Sequence, residues 1–205
     1  IAGVFFAAEI VLLGTYEISS FSALITASAI STVVTRSYFG EINLFVIPQY
    51  DVVNHFVELP LYALLAVITG FLAVFHTKVF YYIRDFYINL SIPQQLKPIT
   101  GALIVGTIGI LFPQVMGDGY HFIETVLYGG EMSSLLICLV FLKIFATAIT
   151  LGSGGAGGLF APALFIGTMI GGSFGSIVNK ILPDVTAGSG AYASVGIGAF
   201  LAAST

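Results

Sequence analysis

Leu151-Gly152-Ser153-Gly154-Gly155-Ala156-Gly157-Gly158-Leu159-Phe160-Ala161-Pro162 stands between two apolar runs, 134–151 and 159–182. Five of the seven residues at 152–158 are glycine. A glycine in a helix interior costs about 1 kcal/mol relative to alanine, so this run predicts irregular backbone joining two helices. In so apolar a chain that backbone lies at or near membrane depth. There it is tolerated only where it lines a cavity or is buried in protein. Glycines leave backbone N–H groups uncovered, and Pro162 suits the first turn of the following helix, where a missing N–H costs little. The first N–H groups of that helix have no partner within it and carry its positive dipole end. Residues 157–162 therefore read as an anion site built from partial charges. Such a site binds moderately and can release its ion, whereas a lysine would hold it too tightly. The competing reading is close helix packing through small residues. It is the favoured one for Gly167, Gly171, Gly172 and Gly175, which sit on the following helix at roughly i, i+4 spacing. A P-loop is excluded because no Lys-Ser/Thr follows the glycines.

Composition sets the solvent. Of the 205 residues, 58% are hydrophobic and 8% charged, against about 25% charged in soluble domains. Much of the surface must face lipid. Six Lys+Arg against ten Asp+Glu, with no basic run, make nucleic acid an unsuitable partner. The single Cys138 excludes an internal disulfide framework. The chain opens on Ile1 and stops at Thr205, both within apolar runs, so a fragment is expected, without a signal peptide.

Apolar segments fall at 1–14, 21–35, 59–83, 99–115, 134–151, 159–182 and 192–204. Spanning the hydrocarbon core takes about 20 helical residues, and only 59–83 and 159–182 exceed this comfortably. Short spans interrupted by Gly and Pro predict broken helices that stop at mid-membrane, where transporters place their sites. Lys78, Arg84 and Lys97 near 84–98, against Glu41, Asp51 and Glu58 at 40–58, place the first region in the cytoplasm and the second outside. The Phe and Tyr residues at 80–87 suit a membrane interface. Ala2-Gly3-Val4-Phe5-Phe6-Ala7-Ala8-Glu9 aligns with Ile197-Gly198-Ala199-Phe200-Leu201-Ala202-Ala203-Ser204. Two readings are open: chance in a Gly/Ala-rich chain, or the trace of two related halves inverted across the membrane.

Polar residues in apolar runs are functional candidates. Glu9 has two readings of equal weight, a functional carboxylate and a helix-end residue bonding nearby backbone. For Lys143 the favoured reading is pairing with a carboxylate; attraction of anions and snorkelling to an interface are the others. Arg36 is expected at a helix C-terminus, complementing the dipole. His55, His76 and His121 lack metal-ligand spacing, and Ser153 has no nearby His or Asp to activate it. No metal, no cofactor and no covalent chemistry are expected. A membrane-embedded enzyme would need more titrating groups than Glu9 and Lys143, and a scaffold would leave the glycine run unexplained.

Gly158-Leu159-Phe160-Ala161-Pro162 resembles the GxFxP motif of the CLC family of voltage-gated chloride channels and chloride/proton antiporters. In matching order, Ile1 to Glu9 resembles the helix after that family's GxEGP segment. Met116-Gly117-Asp118-Gly119-Tyr120 is similar to a Gly-rich turn of bacterial members, and Ser194 to Ser204 to a later Gly/Ala-rich helix. The resemblance covers essentially the whole chain. It implies an all-α, polytopic membrane fold with inverted halves and broken, tilted helices, residues 1–58 ending the first half and 59–205 forming most of the second. It also implies a homodimer in the lipid bilayer, with one pore per subunit and chloride or a similar monovalent anion as the transported partner. The backbone N–H groups of Leu159 and Phe160 would hold the anion, with Gly157, Gly158, Ala161 and Pro162 forming the loop around it. The family's GSGxP serine, gating glutamate and pore tyrosine are expected outside this sequence. After Glu9, many antiporters carry a second, proton-passing glutamate; here the position is Ile10, which cannot titrate. A passive channel is therefore expected, with proton-coupled exchange as the alternative, since some members lacking that glutamate still couple protons.

Overall fold

The computed structural model describes residues 18–40, 46–50, 55–129 and 133–204. Two compact units, 1–44 and 45–205, are each taken separately. In the first, α1 (Ile18–Phe39) ends on Gly40 at φ +75°, whose N–H donates to Arg36 O at 2.9 Å. This is a left-handed glycine cap, and Arg36 stands in the last turn as expected. Thr26, Thr32 and Ser37 each donate their hydroxyl to the carbonyl four residues back, at 2.8 Å. These three hydroxyls are thus satisfied within the helix, as an apolar solvent requires.

The second unit contains α2 (His55–Asn89), α3 (Lys97–Leu111), α4 (Tyr120–Tyr128), α5 (Ser133–Gly152), α6 (Phe160–Ile181) and α7 (Ser189–Ser204). Short 3-10 turns at Gln94–Leu96 and Pro113–Val115 lead into and out of α3. Every regular element among the described residues is helical. Among the described residues, three helices are long and apolar enough to cross a membrane: Phe56–Asn89, Ser133–Gly152 and Phe160–Ile181. With 15 residues, α3 reaches only about 22 Å, short of a hydrocarbon core of about 30 Å. Short and long helices therefore coexist, as the interrupted apolar segments predict. The run at 134–151, near the length limit by sequence, gains one residue at each end and becomes a full span.

The apolar window of α6 is 72% buried against 22% for α2, so α6 is the central helix. It binds α7 through small residues. A Cβ on Gly167 would lie 2.5 Å from Gly196 O, and one on Gly175 would lie 2.8 Å from Tyr192 Cβ. A Cβ on Gly171 would strike the Tyr192 carbonyl. Gly172 points elsewhere, toward Val126 of α4 and Leu136 of α5. All four glycines thus serve close packing, the reading favoured from their spacing. Around this seam Ile144, Phe165, Ile166, Met169 and Phe200 are completely buried.

The N-terminal end of α2 is fastened by Glu58, which is fully buried. Its carboxylate accepts Ala187 N–H at 2.8 Å and the Tyr62 hydroxyl at 3.0 Å. One side chain thereby ties α2 to the loop between α6 and α7. At the other end, Lys97 donates to the carbonyls of Tyr87 and Ile88, which lie in the last turn of α2 and lack helical partners.

Candidate anion site

The glycine run begins by closing α5. Gly155 N–H donates to Thr150 O at 2.9 Å and Gly154 N–H to Leu151 O at 3.1 Å. This pair of bonds is a Schellman motif, and Gly154 at φ +90° occupies the left-handed position that favours glycine. Ser153 is buried, and its hydroxyl donates to Thr150 O at 3.1 Å. Carbonyls at the negative end of α5 are thus occupied by protein donors.

After irregular backbone at 155–158, α6 starts at Phe160. Its first internal bond runs from Ala163 N–H to Leu159 O at 3.0 Å. The amides of Leu159, Phe160 and Ala161 precede that bond, at the positive end of a 22-residue helix. Pro162, within the first turn, has no N–H to satisfy. Two helix ends meet at this loop. The carbonyls of Ile149, Thr150 and Leu151 at the negative one accept protein N–H groups.

An open cleft of about 690 Å³ lies against this loop. Gly157, Gly158, Ala161 and Pro162 line it, together with Ala102 and Gly106 of α3 and the segment Val115–Asp118. Thr147 and Thr150 of α5 lie on the wall too. Leu159 and Phe160, 47% and 38% exposed, are not among the residues that line this cleft, although residues on both sides of them are.

The charged residues on the wall are Lys143 and Asp118. Lys143 is 3% exposed, which excludes snorkelling. Its ammonium donates to Val115 O at 2.7 Å and Gly117 O at 2.8 Å and lies 4.9 Å from the Phe165 ring centroid. Asp118 is exposed, and its carboxylate accepts Tyr120 N–H at 3.3 Å at the start of α4. The expected pairing of Lys143 is therefore corrected in kind: its partners are backbone carbonyls, and among the described residues no carboxylate is within salt-bridge distance. These partners lie 28 and 26 residues away in sequence, and the only hint of them is a lysine inside an apolar run. Glu9 and Ile10 lie outside the described residues.

A family profile described as "Voltage gated chloride channel" matches residues 1–205. The chain belongs to that family. Among its relatives are chloride channel protein CLC-f of Arabidopsis thaliana, 35% identical over 98% of this chain, and a putative chloride channel protein, ClcB-like, of Ralstonia nicotianae, 31% identical over all of it. The H(+)/Cl(-) exchange transporter ClcA of Vibrio vulnificus is 32% identical over 92% of the chain. The alignments cover 28%, 47% and 41% of those relatives, so the chain spans less than half their length. Membership in the chloride channel family, with three apolar helices of spanning length, makes this a multi-pass membrane protein. Gly158, Ala161 and Pro162 of the GxFxP stretch line the cleft where α6 begins, and Pro98 lines it at the start of α3.

Proposed function

We propose that this chain builds part of a path for chloride or a similar monovalent anion, with main-chain amides of Leu159 and Phe160 holding the ion. The carrying observation is the junction of α5 and α6: a capped negative helix end, the start of a 22-residue helix, and a cleft beside them. Partial charges at a helix start can bind an anion and let it go. Gly157, Gly158, Ala161 and Pro162 keep side-chain bulk away from the ion. The relatives' names include both channels and a proton-coupled exchanger.

Passive conduction is the first reading, because Ile10 offers no titrating group where many antiporters have a glutamate. Exchange is the second, favoured by the ClcA relative. The working unit is a homodimer with a pore in each subunit and 84–98 on the cytoplasmic side. The test uses full-length transporter in planar bilayers under a proton gradient. A reversal potential fixed by chloride alone is expected. Displacement by the proton gradient would select exchange, and a conductance indifferent to chloride would remove the anion assignment.

A further inference from the structure

An ammonium buried in an apolar interior is destabilising by several kcal/mol unless its donors are satisfied. Lys143 places two of its three N–H donors on main chain, Val115 O and Gly117 O, at 2.7 and 2.8 Å, and lies 4.9 Å from the Phe165 ring centroid. Those carbonyls belong to the connection between α3 and α4. That connection bonds mostly to itself, through Val115 N–H to Phe112 O and Met116 N–H to Pro113 O, both at 3.1 Å. Gly117 and Gly119, at φ +65° and +76°, make it a tight turn without ladder partners. Gly119 sits so close over Phe165 of α6 that a Cβ there would collide with the ring. The turn is therefore pressed on α6 by shape and held to α5 by Lys143.

We propose that Lys143 is a positioning residue: its ammonium grips the Val115 and Gly117 carbonyls and so fixes the segment Val115–Asp118 as part of the wall of the cleft that the glycine run also lines. This rests on the cleft being the anion's path. The grip has a second consequence. Carbonyl oxygens released from the ammonium would present their negative ends to a passing anion, whereas oxygens engaged by it do not. Lys143 thus acts on transport through the turn rather than as a ligand of the ion.

The test compares Lys143→Arg, Lys143→Gln and Lys143→Met in the full-length transporter. Two readouts are hydrogen–deuterium exchange of the 116–119 amides and chloride efflux from liposomes. Arg keeps charge and donors, Gln keeps donors without charge, and Met keeps neither. Arg is expected within about threefold of the parent in both readouts, and Met about tenfold worse in both, the scale of one hydrogen bond to a charged group. Gln is expected between them. Efflux that follows charge alone, with Gln as slow as Met or slow while exchange stays unchanged, would overturn the proposal, as would normal efflux in Met. If Met does not assemble, the contrast between Arg and Gln decides on the same terms. An ester at the Leu159–Phe160 link is measured alongside. If chloride binding ignores the ester, the cleft assignment fails; if the ester weakens binding but the Lys143 series is unordered, only the positioning role fails.

Discussion

Chloride affinity of the full-length transporter is expected to fall at least about tenfold when the amide between Leu159 and Phe160 is replaced by an ester. The substitution deletes one N–H and leaves every side chain in place. Hydrogen bonds to charged groups contribute about 1.5–3 kcal/mol, and about 1.4 kcal/mol is a factor of ten. Isothermal calorimetry reads the change directly. Phe160→Pro removes the same donor but is a less clean probe. It strips the aromatic ring and constrains Leu159, whose φ −96° and ψ −21° lie in the helical region that a residue before proline avoids. The Pro variant is accordingly expected to lose more affinity than the ester, with the excess reporting loop distortion. The ester also weakens the Leu159 carbonyl, which accepts Ala163 N–H, so melting temperature is recorded with affinity. Unchanged chloride affinity in a folded ester variant would remove the amide from the site.

Gly196→Val is expected to abolish the folded protein. A Cβ at this position would run into the Gly167 carbonyl and lie 2.9 Å from Gly171 Cα. Both are backbone of the central helix and cannot rotate aside. Overpacking by extra methylenes already costs about 1–3 kcal/mol where side chains can shift, and here the obstacle is main chain on a neighbouring helix. Gly198, two residues on, has open space around it. Gly198→Ala should therefore be neutral or stabilising by up to about 1 kcal/mol, through helix propensity. Detergent-solubilised yield and thermal melting distinguish the pair. A Gly196→Val protein that melts like the parent would mean that α6 and α7 do not approach as closely as described.

The neighbouring glycines show how two readings of one residue type can be separated. In 152–158 they crowd together between two apolar runs, and the backbone leaves the helix; at 167, 171, 172 and 175 they recur at helical spacing, and the helix continues. Spacing alone carried that distinction, because irregular backbone needs consecutive permissive residues while a packing seam needs one small residue per turn. The direction of each packing glycine was not readable. Gly171 and Gly172 are adjacent, yet one meets α7 and the other meets α4 and α5.

Composition and periodicity by themselves determined a lipid-solvated, helical chain, a helix break at the glycine run, and a helix N-terminus beginning near Pro162. These are local consequences of hydration, backbone entropy and proline geometry, which act over a few residues. Tertiary structure alone decided that α6 is the central helix, that the loop borders a cleft shared with α3, and that Lys143 grips the Val115 and Gly117 carbonyls. It likewise decided that Glu58 fastens α2 to the loop before α7. Each of these joins residues more than 25 positions apart, with Glu58 and Ala187 separated by 129. A backbone carbonyl looks the same at every residue, so a sequence holds no mark of which ones a buried ammonium will find; only the packing of helices brings them within reach.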